Sequence, residues 1–370
     1  MPTRPEHPPT AERDHSEAPD TRTMTWRRRS RRTAVLGALL CTVLALSGCV
    51  GQQRVNDARS IDQLITGLPG VNREKSDVRF NSGIDSGSSL QVDLAFDSTA
   101  TPEQTQQAVA QVQQAIDDSS LHDVMYGSLS VELGDVDSSM RFSLPLEVDE
   151  AGMRELVQTM SGRPEARVDL SRLHSSRYRS DRPVADFSQT LRADTLGQAV
   201  SQLTSTFSAL QLQHVDVRDA AITVMRPGYA TYQQEGRIAG IRADEPGLWN
   251  DGYVQLFGDL DAVLEGLPAG IVRRPSCTLT SGQASKPATG QTTEPATECR
   301  FEFYSSDGQT GVRGLDADEF WQQTIAAIEQ VFAKHGGAYT LDATVEGRSY
   351  PMQSSGGSAS AHESASPSPR

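Results

Sequence analysis

Thiols are the scarcest side chains here able to do chemistry: the chain has four, Cys41, Cys49, Cys277 and Cys299. A cysteine can attack a carbon, ligate a metal or pair with another cysteine. No Gly-x-Ser-x-Gly elbow supplies a serine nucleophile in their place. His122, His174, His214, His335 and His362 are scattered singly, with no His-Glu-x-x-His or other ligand spacing. A glycine-rich phosphate cradle is also missing. Acidic residues cluster at Asp135 and Asp137, at Asp244-Glu245 before Pro246, and at Asp316, Asp318 and Glu319. None of these follows the calcium-loop pattern of spaced oxygens, glycine and distal glutamate. Turns and helix starts account for them, because carboxylates bond turn backbones and favour the positive end of a helix dipole. The residues point to no catalytic group, no metal and no cofactor.

Two groups could instead bind. Arg172, Arg177, Arg179 and Arg182, with His174 and Tyr178 between them, form the one basic island after the N-terminal region. They could grip an anionic wall polymer or an acidic protein face, or pair with surrounding acids in a linker. Tyr229, Tyr232, Trp249, Tyr253 and Phe257 concentrate aromatic rings near the turn formers Pro227-Gly228, Pro246-Gly247 and Asp251-Gly252. Such rings can line a groove for sugars or peptide side chains, or fill a core.

Cys49 has a distinctive setting. Arg27, Arg28, Arg29, Arg31 and Arg32 precede an apolar stretch over 33–46 (TAVLGALLCTVLAL), and Leu46-Ser47-Gly48-Cys49 closes it. The stretch has the length of a cleavable signal and is short of the roughly 20 apolar residues that span a bilayer. Leucine, two small residues and cysteine in this position resemble the lipobox of bacterial lipoproteins. The resemblance covers the N-terminal part of the chain alone. It implies that Cys49 is diacylglyceryl-modified, becomes the first mature residue and anchors the chain to the outer face of the cell membrane. Ser30-Arg31-Arg32 also resembles a twin-arginine signal, though Ala34 and Val35 replace the bulky pair usual there, so both export routes stay open. Met24 is a second possible start. On this resemblance Cys277 and Cys299 stand in an oxidising compartment, where an isolated pair forms a disulfide.

Composition narrows the partners. The chain carries a net charge of −14, and removing the basic leader before Cys49 leaves the rest near −17. Nucleic acid is excluded as a partner, because phosphate binding needs a basic surface. Lysine is rare against arginine, which suggests a GC-rich, actinobacterial-type genome.

The elements that would hold any site follow from periodicity. Val109, Val112 and Ile116, then Met153, Leu156, Val157 and Met160, then Leu196, Val200, Leu203 and Phe207, and finally Trp321, Ile325, Ile328 and Phe332 recur at helical spacing. Ser60 with Gln63, Thr101-Pro102 with Gln104, Thr195 with Gln198, and Asp316 with Glu319 match the capping-box spacing. Strict alternation marks strands at Leu90 to Phe96, Leu129 to Leu133, Met140 to Leu146 and Ala166 to Leu170. The fold class expected is α+β: a two-layer sandwich of antiparallel sheets with helices on one face, built of ferredoxin-like repeated units. Gly67-Leu68-Pro69 recurs as Gly266-Leu267-Pro268 before a similar strand–strand–helix–strand order, which suggests an internal duplication. The expected divisions are a leader and signal over 1–48, a tether over 49–58, a first domain over 59–171, a linker over 172–185, a second domain over 186–353 and a disordered tail over 354–370.

These features predict a membrane-anchored, extracytoplasmic, non-catalytic binding module of the cell envelope, with an envelope protein or wall polymer as partner. The alternatives are a solute-capturing lipoprotein of a transporter and a cell-wall hydrolase using paired carboxylates.

Overall fold

A pair of adjacent strands followed by a helix is the unit from which this chain is built, and the computed structural model repeats it along one sheet. Described are residues 51–83, 87–124, 126–134, 137–170, 180–225, 237–267, 271–281, 296–305, 317–345, 347–350 and 352. Helix α1 covers 51–65. Strands β1 (Asp77–Gly83) and β2 (Gly87–Ala95) precede α2 (Pro102–Asp117), and β3 (Tyr126–Leu133) and β4 (Ser138–Leu144) precede α3 (Glu150–Met160). Then come β5 (Ala166–Leu170), β6 (Val184–Arg192) and α4 (Leu196–Ala209), followed by β7 (Asp216–Met225), β8 (Arg237–Ala243) and α5 (Asp251–Glu265). The last unit is β9 (Ile271–Thr280), β10 (Ala296–Ser305) and α6 (Ala317–His335), and β11 (Ala338–Val345) with β12 (Arg348–Tyr350) completes the sheet.

Among the described residues the 12 strands lie side by side in sequence order. Each pair within a unit is antiparallel, and each of α2 to α6 joins two parallel neighbours, as α2 joins β2 to β3 and α6 joins β10 to β11. The sheet is therefore mixed, which corrects the expectation of antiparallel sheets. Alternation along a strand reports that one face is covered. It does not report direction, which the connection sets, since a helical crossover returns the chain to the end where it started. A second correction concerns the ferredoxin-like unit, which places another strand between the two that flank a helix; here those two are adjacent.

Register explains the layers. Leu94, Val131, Met140, Val168, Phe187, Ala220, Ala243 and Leu279 occupy one row across eight successive strands, and all are buried. Against this face the helices lay Val109, Val112, Ile116, Leu156, Leu203, Phe207, Leu260 and Ile328, each 2% exposed or less. Two strands occupy about 9.6 Å of sheet, close to the width of one helix, so each unit covers itself and the array can extend.

Local signals set the boundaries. Thr101 and Gln104 form the reciprocal capping box at α2, and Thr195 accepts the Gln198 N–H at α4. Asp149 and Asn250 cap α3 and α5 in the same way. Asp316 lies outside the described residues. Ser60 does not start a helix: α1 runs through it, and its Oγ bonds the Asn56 carbonyl one turn back. The expected tether over 49–58 is corrected for the same reason. From residue 51 the chain is helical, and Ala58, Ile61 and Ile65 are buried in the core.

β5 and β6, which flank the expected linker, pair antiparallel with Asp169 opposite Asp186. The sheet thus continues across that position, and the chain from Arg54 onward forms one unit. The helix layer is less even. Neighbours α2–α3, α4–α5 and α5–α6 pack closely, while α3 and α4 meet through polar contacts. There Arg163 donates to the Thr159 carbonyl at 2.7 Å and to Thr206 Oγ1 at 3.2 Å, and burial lowers its pKa. Glu155 accepts the backbone N–H groups of Gln213 and His214 at 2.9 Å each.

Candidate functional site

The helix-free face of the sheet carries the residues that alternation turns away from the core. Over β3 to β7 this face forms a groove of about 1100 Å³. Its floor is set by register. Ser130 lies opposite Arg141, Arg141 opposite Asp169, and Asp169 opposite Asp186. In a second row Glu132 lies opposite Ser139, Ser139 opposite Arg167, and Arg167 opposite Ser188. Thr190 and Thr223 follow in a third, with Lys75, Asp137, Glu165 and Asp219 at the margins.

Directly opposed residues on adjacent strands hold their Cβ atoms about 5 Å apart, so this lattice fixes the spacing of its charges. Elsewhere on the face equivalent positions pair: Arg300 bonds Asp342 at 3.1 Å, and Arg242 bonds Asp219. Arg141, Arg167 and Asp169 instead make no hydrogen bond or ion pair with any described residue. Asp169 Oδ1 is buried without a partner, beside the like-charged Asp186 on the next strand. Like charges placed directly opposite destabilise a sheet. Two guanidinium forks donate, carboxylates accept, and the serine and threonine hydroxyls do both. Among the described residues no histidine or cysteine lines the groove.

No protein-family model, curated protein or solved structure matches the chain.

The residues singled out by sequence fall elsewhere. Trp249 is 6% exposed, with its ring centroid 5.3 Å from that of Phe207, 5.5 Å from Phe257 and 6.1 Å from Tyr253. Its Nε1 donates to Thr204 Oγ1 at 3.0 Å, and the Tyr253 hydroxyl meets Thr297 Oγ1 at 2.7 Å. Trp249 fills the core between α4 and α5, which corrects the groove reading for it, while Tyr253 is half-buried against that core. Asp251-Gly252 begins α5 and forms no turn. Tyr229 and Tyr232 lie outside the described residues, as do Arg172, Arg177, Arg179 and Cys49. Arg182, the described member of the arginine island, pairs with Asp216 and donates to the Gln213 carbonyl at 2.8 Å.

Cys277 and Cys299 form a disulfide, directly opposite one another on β9 and β10 on the helix-covered face. His335 meets Asp259 at 2.8 Å, and the hydrogen bonds from Lys334 and His335 hold the Asp259 carboxyl below its ordinary range. His122 Nδ1 lies 2.7 Å from the Ser119 carbonyl. Asp244 is pushed up, first by burial and then by the nearby charges of Asp219 and Glu245. Asp318 accepts the Tyr350 hydroxyl at 3.0 Å. Among the described residues no three histidine, cysteine or acidic side chains gather as a metal set, and no helix is long and apolar enough to cross a membrane.

Sequence reasoning missed Arg141, Arg167, Asp169 and Asp186. Each is a single outward residue of an alternating strand, identical in pattern to any solvated position. Only register makes them neighbours.

Proposed function

We propose that the chain is an extracytoplasmic lipoprotein held in the cell membrane through Cys49, and that the groove over β3 to β7 binds another component of the envelope without catalysing a reaction. The observation that carries the binding assignment is the unpaired set Arg141, Arg167 and Asp169 at the groove floor. Charges kept without partners on a fixed lattice are ready to bond an incoming polar surface, such as a protein face or a wall polymer rich in hydroxyls. The basic stretch, apolar run and Leu46-Ser47-Gly48-Cys49 support the anchor, and the disulfide suits an oxidising compartment.

Solute capture draws support from the groove volume, which is of the size that holds small ligands. Its polar and charged lining favours a macromolecular surface over a small molecule, whose sites are mostly apolar. Asp169 and Asp186 are the adjacent carboxylates that a wall hydrolase would need. They stand side by side on one face, whereas glycoside hydrolysis needs two carboxylates flanking the bond.

The test uses the lipidated full chain in its native membrane, with a photo-crosslinking residue in place of Ser139. A specific adduct is expected, and Arg141→Glu with Arg167→Glu should remove it while the chain keeps a cooperative melting transition, lowered because a carboxylate at position 141 faces Asp169. An adduct that survives the double reversal would assign binding to another surface.

A further inference from the structure

Tyr126 is the large hydrophobic side chain left exposed among the described residues, at 61%. It opens β3, and its cross-strand neighbour is Ser89 near the start of β2. The adjacent Ser88 Oγ accepts a hydrogen bond from Arg54 Nη1 at 3.4 Å, so α1 from Arg54 onward rests at this same end. Arg54 also donates to the Ser120 carbonyl at 3.2 Å and pairs with Asp123 at 2.7 Å. Asp57 accepts both the N–H and the hydroxyl of Ser120, at 2.9 and 2.5 Å. Helix α1 is thus fastened to the connection between α2 and β3, immediately before Tyr126.

The covalent chain limits how far this end can be from position 49. Five residues at full extension span no more than about 18 Å, so the Cα of Cys49 lies within that distance of the Cα of Arg54. Resting on the lipoprotein reading above, we infer that the end of the body bearing Tyr126 docks on the bilayer surface, with the tyrosine ring in the headgroup layer. A tyrosine ring has an apolar body and a polar tip, the combination that favours membrane–water interfaces. A long flexible tether would let the body stand off; here the chain is packed on the body from Arg54, five residues after the lipid-bearing cysteine, which keeps this end within reach of the bilayer. The charge near −17 left after removal of the leader opposes anionic headgroups, so the surface that fits is zwitterionic.

Tyr126→Cys tests this directly. With Cys49 acylated and Cys277 bonded to Cys299, the new thiol is the one free to label. The lipidated full chain, labelled there with an environment-sensitive fluorophore, is placed in phosphatidylcholine vesicles carrying a spin-labelled quencher lipid. The control is Arg300→Cys, an exposed position on β10. A blue shift and severalfold stronger lipid quenching at 126 than at 300 is the expected result. Mass spectrometry of the same sample separates the two ways to fail. A chain without lipid on Cys49 overturns the anchor and the docking together. An acylated chain whose probe at 126 stays as open to water as the one at 300 overturns the docking alone.

Discussion

Asp244 illustrates how one carboxyl can work against the fold that holds it. Burial disfavours its charge, Asp219 and Glu245 add repulsion, and the Ser281 backbone bond with the nearby Arg242 only partly offsets them. Because its pKa is raised in the folded state, its contribution is most favourable while it is protonated, below the ordinary carboxylate range, and is lost as pH rises through the raised value. Asp244→Asn is therefore expected to raise the melting temperature at pH 7 and to leave it nearly unchanged at pH 3, as calorimetry at the two pH values would read. The disulfide contributes in the other direction. Cys277 and Cys299 close a loop of 22 residues, and replacing both by serine should cost about 3 kcal/mol in denaturant unfolding.

Among the elements, helices and strands were legible wherever one face is buried. The spacing of Met153, Leu156, Val157 and Met160 marks α3, and each of them is indeed buried. Thr101-Pro102 with Gln104 gives the start of α2 because the cap is made by neighbours in sequence. Ser60 misled for the converse reason, since a capping pattern inside a packed helix is overridden by the burial of Ala58, Ile61 and Ile65. Close approach between elements was invisible in the sequence. Gly127 on β3 leaves room for Leu144 on β4, and a Cβ there would lie 2.6 Å from that of Leu144. Gly127→Ala is expected to destabilise by about 1–3 kcal/mol, as overpacking does, and Leu144→Gly, which removes the facing Cβ, should show favourable coupling with it in a double-mutant cycle.

At the scale of the molecule, the repeated Gly-Leu-Pro pointed to the first and fifth strand pairs and missed the three between them. Those carry no such marker, and their kinship lies in the order of elements. Strand pairing and the floor of the groove were illegible too, because register is a long-range property. The seam between α3 and α4 is where this array should open first. Arg163→Met removes the bridge to Thr206 and leaves polar groups unpaired, at a cost of about 1–3 kcal/mol. Hydrogen exchange should then show protection falling in α3 and β5 while α5 and α6 keep theirs. The sequential strand order bears on how the protein is made. Among the described strands none waits for a distant partner, so a chain emerging N-terminus first, from a ribosome or an export pore, can lay each unit onto the one before it. The growing edge is bare only until the next pair arrives, and slow delivery of the C-terminal half leaves the earlier part already folded.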